Sequence, residues 1–147
     1  GELFKRKLMG GFQKGVGAFA MARGTGGAEG IQTAIRLLKE EKVVCMFPEG
    51  TRSKTGEPLN PKTGVAMLAY KTQCTIVPVA IIGEGGKPPK IFKRMVINIG
   101  KPIPFEALGL TEESNMLYRR VSREVFEQVK ALRAESLDIL ENRWKSV

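Results

Sequence analysis

Histidine is absent from all 147 residues. This absence removes every Ser/His/Asp or Cys/His triad, every imidazole general base and every histidine-ligated metal from the chain, so no metal site is expected. Cysteine is nearly as scarce. Cys45 and Cys74 lie far apart in apolar runs and are expected to be reduced and buried rather than part of a disulfide framework. Long hydrophobic runs are also missing. The longest uncharged stretch, 72–83, includes Pro78 and falls well short of the roughly 20 apolar residues a membrane-spanning helix needs. Aromatic residues make up 7% of the chain, with Trp144, Tyr70 and Tyr118 scattered along it. The stacking platform of a single-strand nucleic-acid binder is therefore lacking, and no nucleic-acid partner is expected.

What is present fits one soluble domain over residues 1–147: 42% hydrophobic and 27% charged residues suffice for a single core. The net charge is +9, which favours a partner carrying phosphate or another anionic group. The charge is uneven. Residues 1–27 hold five basic and one acidic residue, residues 61–105 seven and one, whereas 106–147 are slightly acidic. Basic residues gathered in loops around strand ends suggest an anionic site. The chain opens at Gly1 with neither an initiator methionine nor a signal peptide, so the reading frame is expected to continue upstream.

Patterning places the elements. Leu3 to Gly17 intersperses Lys5, Arg6, Lys7 and Lys14 among apolar residues, as a short amphipathic surface helix would, and Ala18 to Ala22 reads as a buried strand. Ile31, Ala34, Ile35 and Leu38 form a helical stripe. Val43 to Phe47 is of buried-strand type. Residues 48–60 must be a loop, followed by a short helix over about 64–71 and strands over 75–82 and 95–99. Thr111 is placed to cap a long helix over about 111–140, with Glu112 and Glu113 in its first turn and Leu117, Val121, Val125, Val129 and Leu132 as its apolar stripe. Strands alternating with helices predict an α/β fold with a mostly parallel sheet and helices on both faces. A glycine-rich turn (Gly24, Gly26, Gly27, Gly30) imitates a dinucleotide fingerprint, but Glu29 breaks its spacing.

The most informative stretch is Phe47-Pro48-Glu49-Gly50-Thr51-Arg52-Ser53, directly after the expected strand, where open α/β sheets bind ligands. Gly50 lets backbone N–H groups approach an anion, Thr51 and Ser53 offer hydroxyls, and Arg52 presents a guanidinium fork. Glu49 would repel a phosphate, so its expected part is to orient Arg52 or to accept a bond from a substrate hydroxyl.

These seven residues resemble the third conserved block of the glycerophospholipid acyltransferase family, in its 1-acylglycerol-3-phosphate O-acyltransferase branch. Gly17-Ala-Phe19-Ala-Met-Ala-Arg23 is similar to the second block and Val77-Pro78-Val79-Ala80 to the fourth. Lys62-Thr-Gly64 and Ile99-Gly100-Lys101-Pro102 are of the family's type, and the likeness covers residues 2 to about 105. The family's first block, Asn-His-x-x-x-x-Asp, is not in this sequence and is expected upstream. Ala22 stands where an acidic residue is common.

The resemblance implies transfer of a fatty acyl group from a coenzyme A or acyl carrier protein thioester to the free hydroxyl of lysophosphatidate, with no cofactor beyond that co-substrate. The histidine of the first block would act as general base. This chain would contribute no catalytic residue and would be inactive alone. Its share would be substrate binding, with Arg23 and Arg52 on the phosphate, Gly50 and Thr51 shaping its pocket, and Glu49 as a further substrate-binding residue. The implied setting is the cytoplasmic face of a membrane, peripheral or tethered by an upstream segment. The competing reading is a non-catalytic basic module that binds phosphate or nucleic acid.

Overall fold

The structure is a computed structural model that describes residues 27–51, 57–89 and 92–143. The expected helix over 3–17, the strand over 18–22, and the candidate residues Arg23, Arg52 and Ser53 lie outside these ranges. Two compact units divide the chain, Gly1–Cys45 and Met46–Val147.

In the first unit, α1 spans Gly27–Lys39. Its helical stripe is as the spacing predicts: Ala34 is buried and Ile31, Ile35 and Leu38 are half-buried. The helix ends where Lys42 N–H donates to Leu37 O at 2.9 Å and Glu41 N–H to Leu38 O at 3.1 Å, with Glu41 in the left-handed region at φ 58°. These paired bonds cap carbonyls that the helix leaves open. Residues 43–47 then run extended, but they pair with no strand among the described residues, and Val43 and Phe47 are exposed. The buried strand expected there is not observed, because a β-rich sequence gives extended backbone whereas a strand needs a neighbour's N–H and C=O groups. Cys45 and Cys74 are both free, Cys45 exposed and Cys74 half-buried.

In the second unit, α2 covers Gly64–Thr72 and leads to β1, Val79–Gly83, and β2, Met95–Ile99. The described strands form a two-stranded antiparallel sheet, with Val79 opposite Ile99 and Gly83 opposite Met95. The short link of residues 84–94 explains the direction. A parallel crossover needs a dozen or more residues, usually as a helix, and among the described residues of this link only the 3-10 turn Glu84–Gly86 intervenes. Pairing resumes at Ile76 and Ile103, so three residues, Gly100 to Pro102, face two, Val77 and Pro78. That mismatch is a β-bulge, a place where a strand tolerates proline.

One long helix covers one face of this sheet. It is α3, Asn115–Asp138, continued by a π-helical turn, Ile139–Arg143. Its start corrects the expected 111–140. Ser114, not Thr111, is the N-cap residue, and Glu113 lies before the helix, where its Oε1 accepts a 2.9 Å bond from Lys71 Nζ. A 3-10 turn, Phe105–Leu108, is closed by Gly109 at φ 61°. It buries Leu108 and Leu110, and anchoring the chain there delays helix entry by about one turn. The buried stripe is also rotated. Tyr118, Val121, Ser122, Val125 and Phe126 are buried, whereas Leu117, Val129 and Leu132 are only half-buried. The core joins Ala66 and Ala69 of α2 to Leu108, Leu110, Tyr118, Val121 and Val125. Asn98 marks the covered sheet face, since its Nδ2 donates to Leu132 O at 3.3 Å and to Glu135 Oε2 at 3.1 Å. On the opposite face Val79, Ile81, Met95, Ile97 and Ile99 are exposed.

Candidate functional site

The loop after Phe47 begins with a tight turn. Gly50 N–H donates to Phe47 O at 3.1 Å, and Gly50 has φ 67°. Proline at the second position and glycine at the fourth suit this four-residue turn, and the positive φ makes glycine the natural occupant.

Two further bonds tie the turn to the end of the loop. Pro48 O accepts from Lys62 N–H at 2.7 Å, and Glu49 Oε2 accepts from Leu59 N–H at 2.8 Å. Glu49 thus spends one carboxylate oxygen on holding the returning segment of the loop. This hydrogen bond from a backbone N–H offsets part of the negative potential that the carboxylate brings to the turn. The neighbouring sequence adds positive potential. Lys62 is exposed and lies close to the turn, its Cγ being 3.5 Å from where a Cβ on Gly50 would stand. Residue 64, the first of α2, abuts Met46, whose Cε is 3.4 Å from the corresponding Cβ position on Gly64. The start of α2, where the first-turn N–H groups have no intrahelical partner and the helix dipole is positive, is therefore set next to the extended segment that leads into the turn.

Of the five residues nominated from the sequence, the structure brings Glu49, Gly50 and Thr51 onto one turn, with Thr51 and Gly50 exposed and Glu49 half-buried. Arg23 and Arg52 lie outside the described residues. Lys62 was not nominated for binding. Its signal was a basic residue just before Thr63-Gly64 at a helix start, which gains meaning only once the Pro48–Lys62 bond places it beside the turn. A separate shallow groove of about 170 Å³ lies between residues 58–61 and α3 and does not include Glu49 to Thr51. Among the described residues no group of three acidic, cysteine or histidine side chains could hold a metal.

The described residues combine helices with a small antiparallel sheet and carry a glycine turn beside a helix start. The family model described as Acyltransferase matches residues 1–82, more than half of the chain, and the chain belongs to that acyltransferase family. It is 39% identical over 105 residues to a 1-acyl-sn-glycerol-3-phosphate acyltransferase of Bacillus subtilis, covering 69% of this chain and 51% of the relative. A protein of the same name from Streptococcus pneumoniae is 31% identical over 104 residues, covering 69% of this chain and 38% of that protein. A chloroplastic 1-acyl-sn-glycerol-3-phosphate acyltransferase of Arabidopsis thaliana is 40% identical over 55 residues, 37% of this chain and 15% of the relative. The chain thus spans about half the length, or less, of the curated relatives it matches. No solved structure matches it.

Proposed function

We propose that this chain is the acceptor-binding portion of an enzyme that moves a fatty acyl group from a thioester, acyl-CoA or acyl-ACP, to the free hydroxyl of lysophosphatidate. The observation that carries this reading is the turn at Gly50, fixed by the Glu49–Leu59 and Pro48–Lys62 bonds, in a chain whose relatives bear acyltransferase names. A phosphate held by the Thr51 N–H and hydroxyl at the turn that Gly50 shapes, with Arg52 and Arg23 as charged partners, anchors the acceptor at one end. Its hydroxyl is then delivered in a fixed orientation, and orientation of this kind supplies a large part of a bimolecular rate. The proton of that hydroxyl must pass to a base as the thioester carbonyl is attacked. With no histidine among the 147 residues, the base belongs to an Asn-His-x-x-x-x-Asp block outside them, and these residues alone are inactive.

The same reading assigns the extended segment 43–47 to a parallel sheet with helices on both faces, within a single acyltransferase domain. It also places the protein at the cytoplasmic face of a membrane, peripheral or tethered, because the acceptor is a lipid. Among the described residues no helix is long and apolar enough to cross a bilayer. The test is transfer of labelled acyl groups to lysophosphatidate by a protein that contains this sequence together with the histidine block. Turnover that depends on the histidine, and that is lost when glycerol replaces the phosphate-bearing acceptor, supports the proposal. Equal turnover of the unphosphorylated acceptor defeats it.

A further inference from the structure

Helix α3 carries two stripes that share one spacing and differ by two positions. Tyr118, Val121, Ser122 and Val125 are buried, whereas Met116, Arg119, Arg120 and Arg123 are exposed. Two positions correspond to about 200° around a helix, so the arginine stripe points away from the core that the other stripe fills. With Glu124 these four residues line a shallow groove of about 490 Å³, and Met116 is 74% exposed.

The charges on this stripe are incompletely answered. Arg120 lies 3.7 Å from Glu124 and donates to Gly109 O at 3.1 Å. Arg119 and Arg123 have no acidic partner among the described residues. Further along α3 the pattern changes, and Lys130 pairs with Glu127 at 2.7 Å. The unanswered cations also sit on the half of α3 nearer its positive end, where they gain nothing from the helix dipole. Neither core packing nor helix stability accounts for them.

We propose that this face of α3 rests on an anionic lipid surface, with the arginines at headgroup phosphates and Met116 entering the interface. The proposal builds on the reading that the acceptor is a membrane lipid. Charge complementarity selects an anionic partner. An exposed thioether among guanidinium groups fits the boundary between headgroups and acyl chains, where an apolar body and a charged tip are both satisfied. The stripe is also short, about 10 Å from Met116 to Arg123 at the helical rise. That is small for the roughly 800 Å² per partner of a stable protein interface, but enough for one side of a peripheral contact.

The experiment is co-sedimentation of the chain with phosphatidylcholine vesicles, with and without phosphatidylglycerol, in the absence of acceptor and donor. Circular dichroism and a thermal melt accompany every variant to establish folding. Each basic side chain near an anionic leaflet strengthens binding about fivefold, so Arg119→Gln with Arg123→Gln should weaken partition to phosphatidylglycerol vesicles about 25-fold. Lys39→Gln with Lys42→Gln removes the same charge from the end of α1 and the turn that follows it, and should change it far less. Met116→Ser should weaken binding several-fold, and Met116→Trp should add a fluorescence component quenched by brominated lipid. Equal losses from the two charge pairs, or an unquenched tryptophan at 116, would overturn the proposal. So would a wild-type chain that ignores the vesicles but binds polyglutamate through the same arginines, which would assign the face to an acidic protein. Because the readout involves neither substrate nor turnover, its result is independent of whether lysophosphatidate is the acceptor.

Discussion

Glu49 Oε2 accepts a 2.8 Å hydrogen bond from the backbone N–H of Leu59, ten positions along the chain. Together with the Pro48–Lys62 bond it closes the loop that begins at the Gly50 turn. In the anion-binding loop proposed above, an acidic side chain would otherwise be an electrostatic liability. Here it is a staple, and the glutamate of the seven-residue block has a reason to be there that involves no substrate.

That relationship predicts a difference between two substitutions. Glu49→Gln keeps an oxygen acceptor for Leu59 N–H and should retain most activity in an active enzyme containing this sequence. Glu49→Ala leaves that N–H without its charged partner and should cost about 1–2 kcal/mol of stability, below the full worth of a charge-assisted bond because the pair is partly solvated. Melting temperature and the Michaelis constant for the acceptor should worsen together in Glu49→Ala. Equal damage from both changes would instead favour a contact between the carboxylate charge and substrate.

Arg52→Lys keeps the charge but loses the two-pronged geometry that suits phosphate. It should raise the Michaelis constant for lysophosphatidate and leave that for the acyl donor nearly unchanged. The loss is about 1.5–3 kcal/mol, roughly ten- to a hundred-fold or more in kcat/KM. Arg36 is the control. It pairs with Glu40 at 3.0 Å on the exposed side of α1, and such surface pairs contribute little, so Arg36→Lys should be silent. Steady-state kinetics with each substrate varied separately decides the matter.

Gly100 sits in the β-bulge, where its N–H donates to Pro78 O at 2.9 Å. A Cβ there would stand 2.9 Å from Leu132 Cδ1 and 3.0 Å from Pro78 Cγ. Leu132 has rotamers to yield with, but the proline ring does not. Gly100→Ala should therefore destabilise the chain by about 1–3 kcal/mol, the range of overpacked sites, seen as a lower midpoint in urea with an unchanged slope. A neutral result would mean that the bulge shifts freely relative to α3.

Two groups make stability fall in alkali. Burial, and secondarily the charge of Glu113, hold the Tyr118 phenol above its ordinary 10.0. The hydrogen bond from Lys71 to Glu113, with their mutual attraction, holds the Lys71 ammonium above 10.5. Both groups bind protons more tightly in the folded state, so their contribution is complete below the unfolded values and is lost as pH rises past 10 through the folded ones. The Tyr118 hydroxyl is buried without a hydrogen-bond partner among the described residues. Tyr118→Phe should therefore raise stability at neutral pH by about 1 kcal/mol and flatten the alkaline decline, as measured by urea melts from pH 7 to 11.

Much of the local structure was legible because it depends on neighbours in sequence. The stripe at Ile31, Ala34, Ile35 and Leu38 specifies α1, and Thr63-Gly64 followed by small and apolar residues specifies α2. The β-branched residues Val96, Ile97 and Ile99 specify β2, and Pro48 with Gly50 specifies the turn. The seven-residue block pointed to the family, and the absence of histidine excluded an imidazole general base within these residues. Tertiary structure decided whatever depends on pairing across distance. Extended residues 43–47 carry every propensity of a strand but lack a hydrogen-bonded neighbour, whereas β1 and β2 found each other in antiparallel register across a link too short for a crossover. Burying Leu108 and Leu110 displaced the start of α3 from 111 to 115 and rotated its buried stripe onto Tyr118 and Ser122. The role of Glu49 belongs to the same kind: spacing placed it beside Gly50, but only the fold brought Leu59 N–H within reach, because a hydrogen bond across ten positions depends on the path of the chain rather than on the identity of adjacent residues.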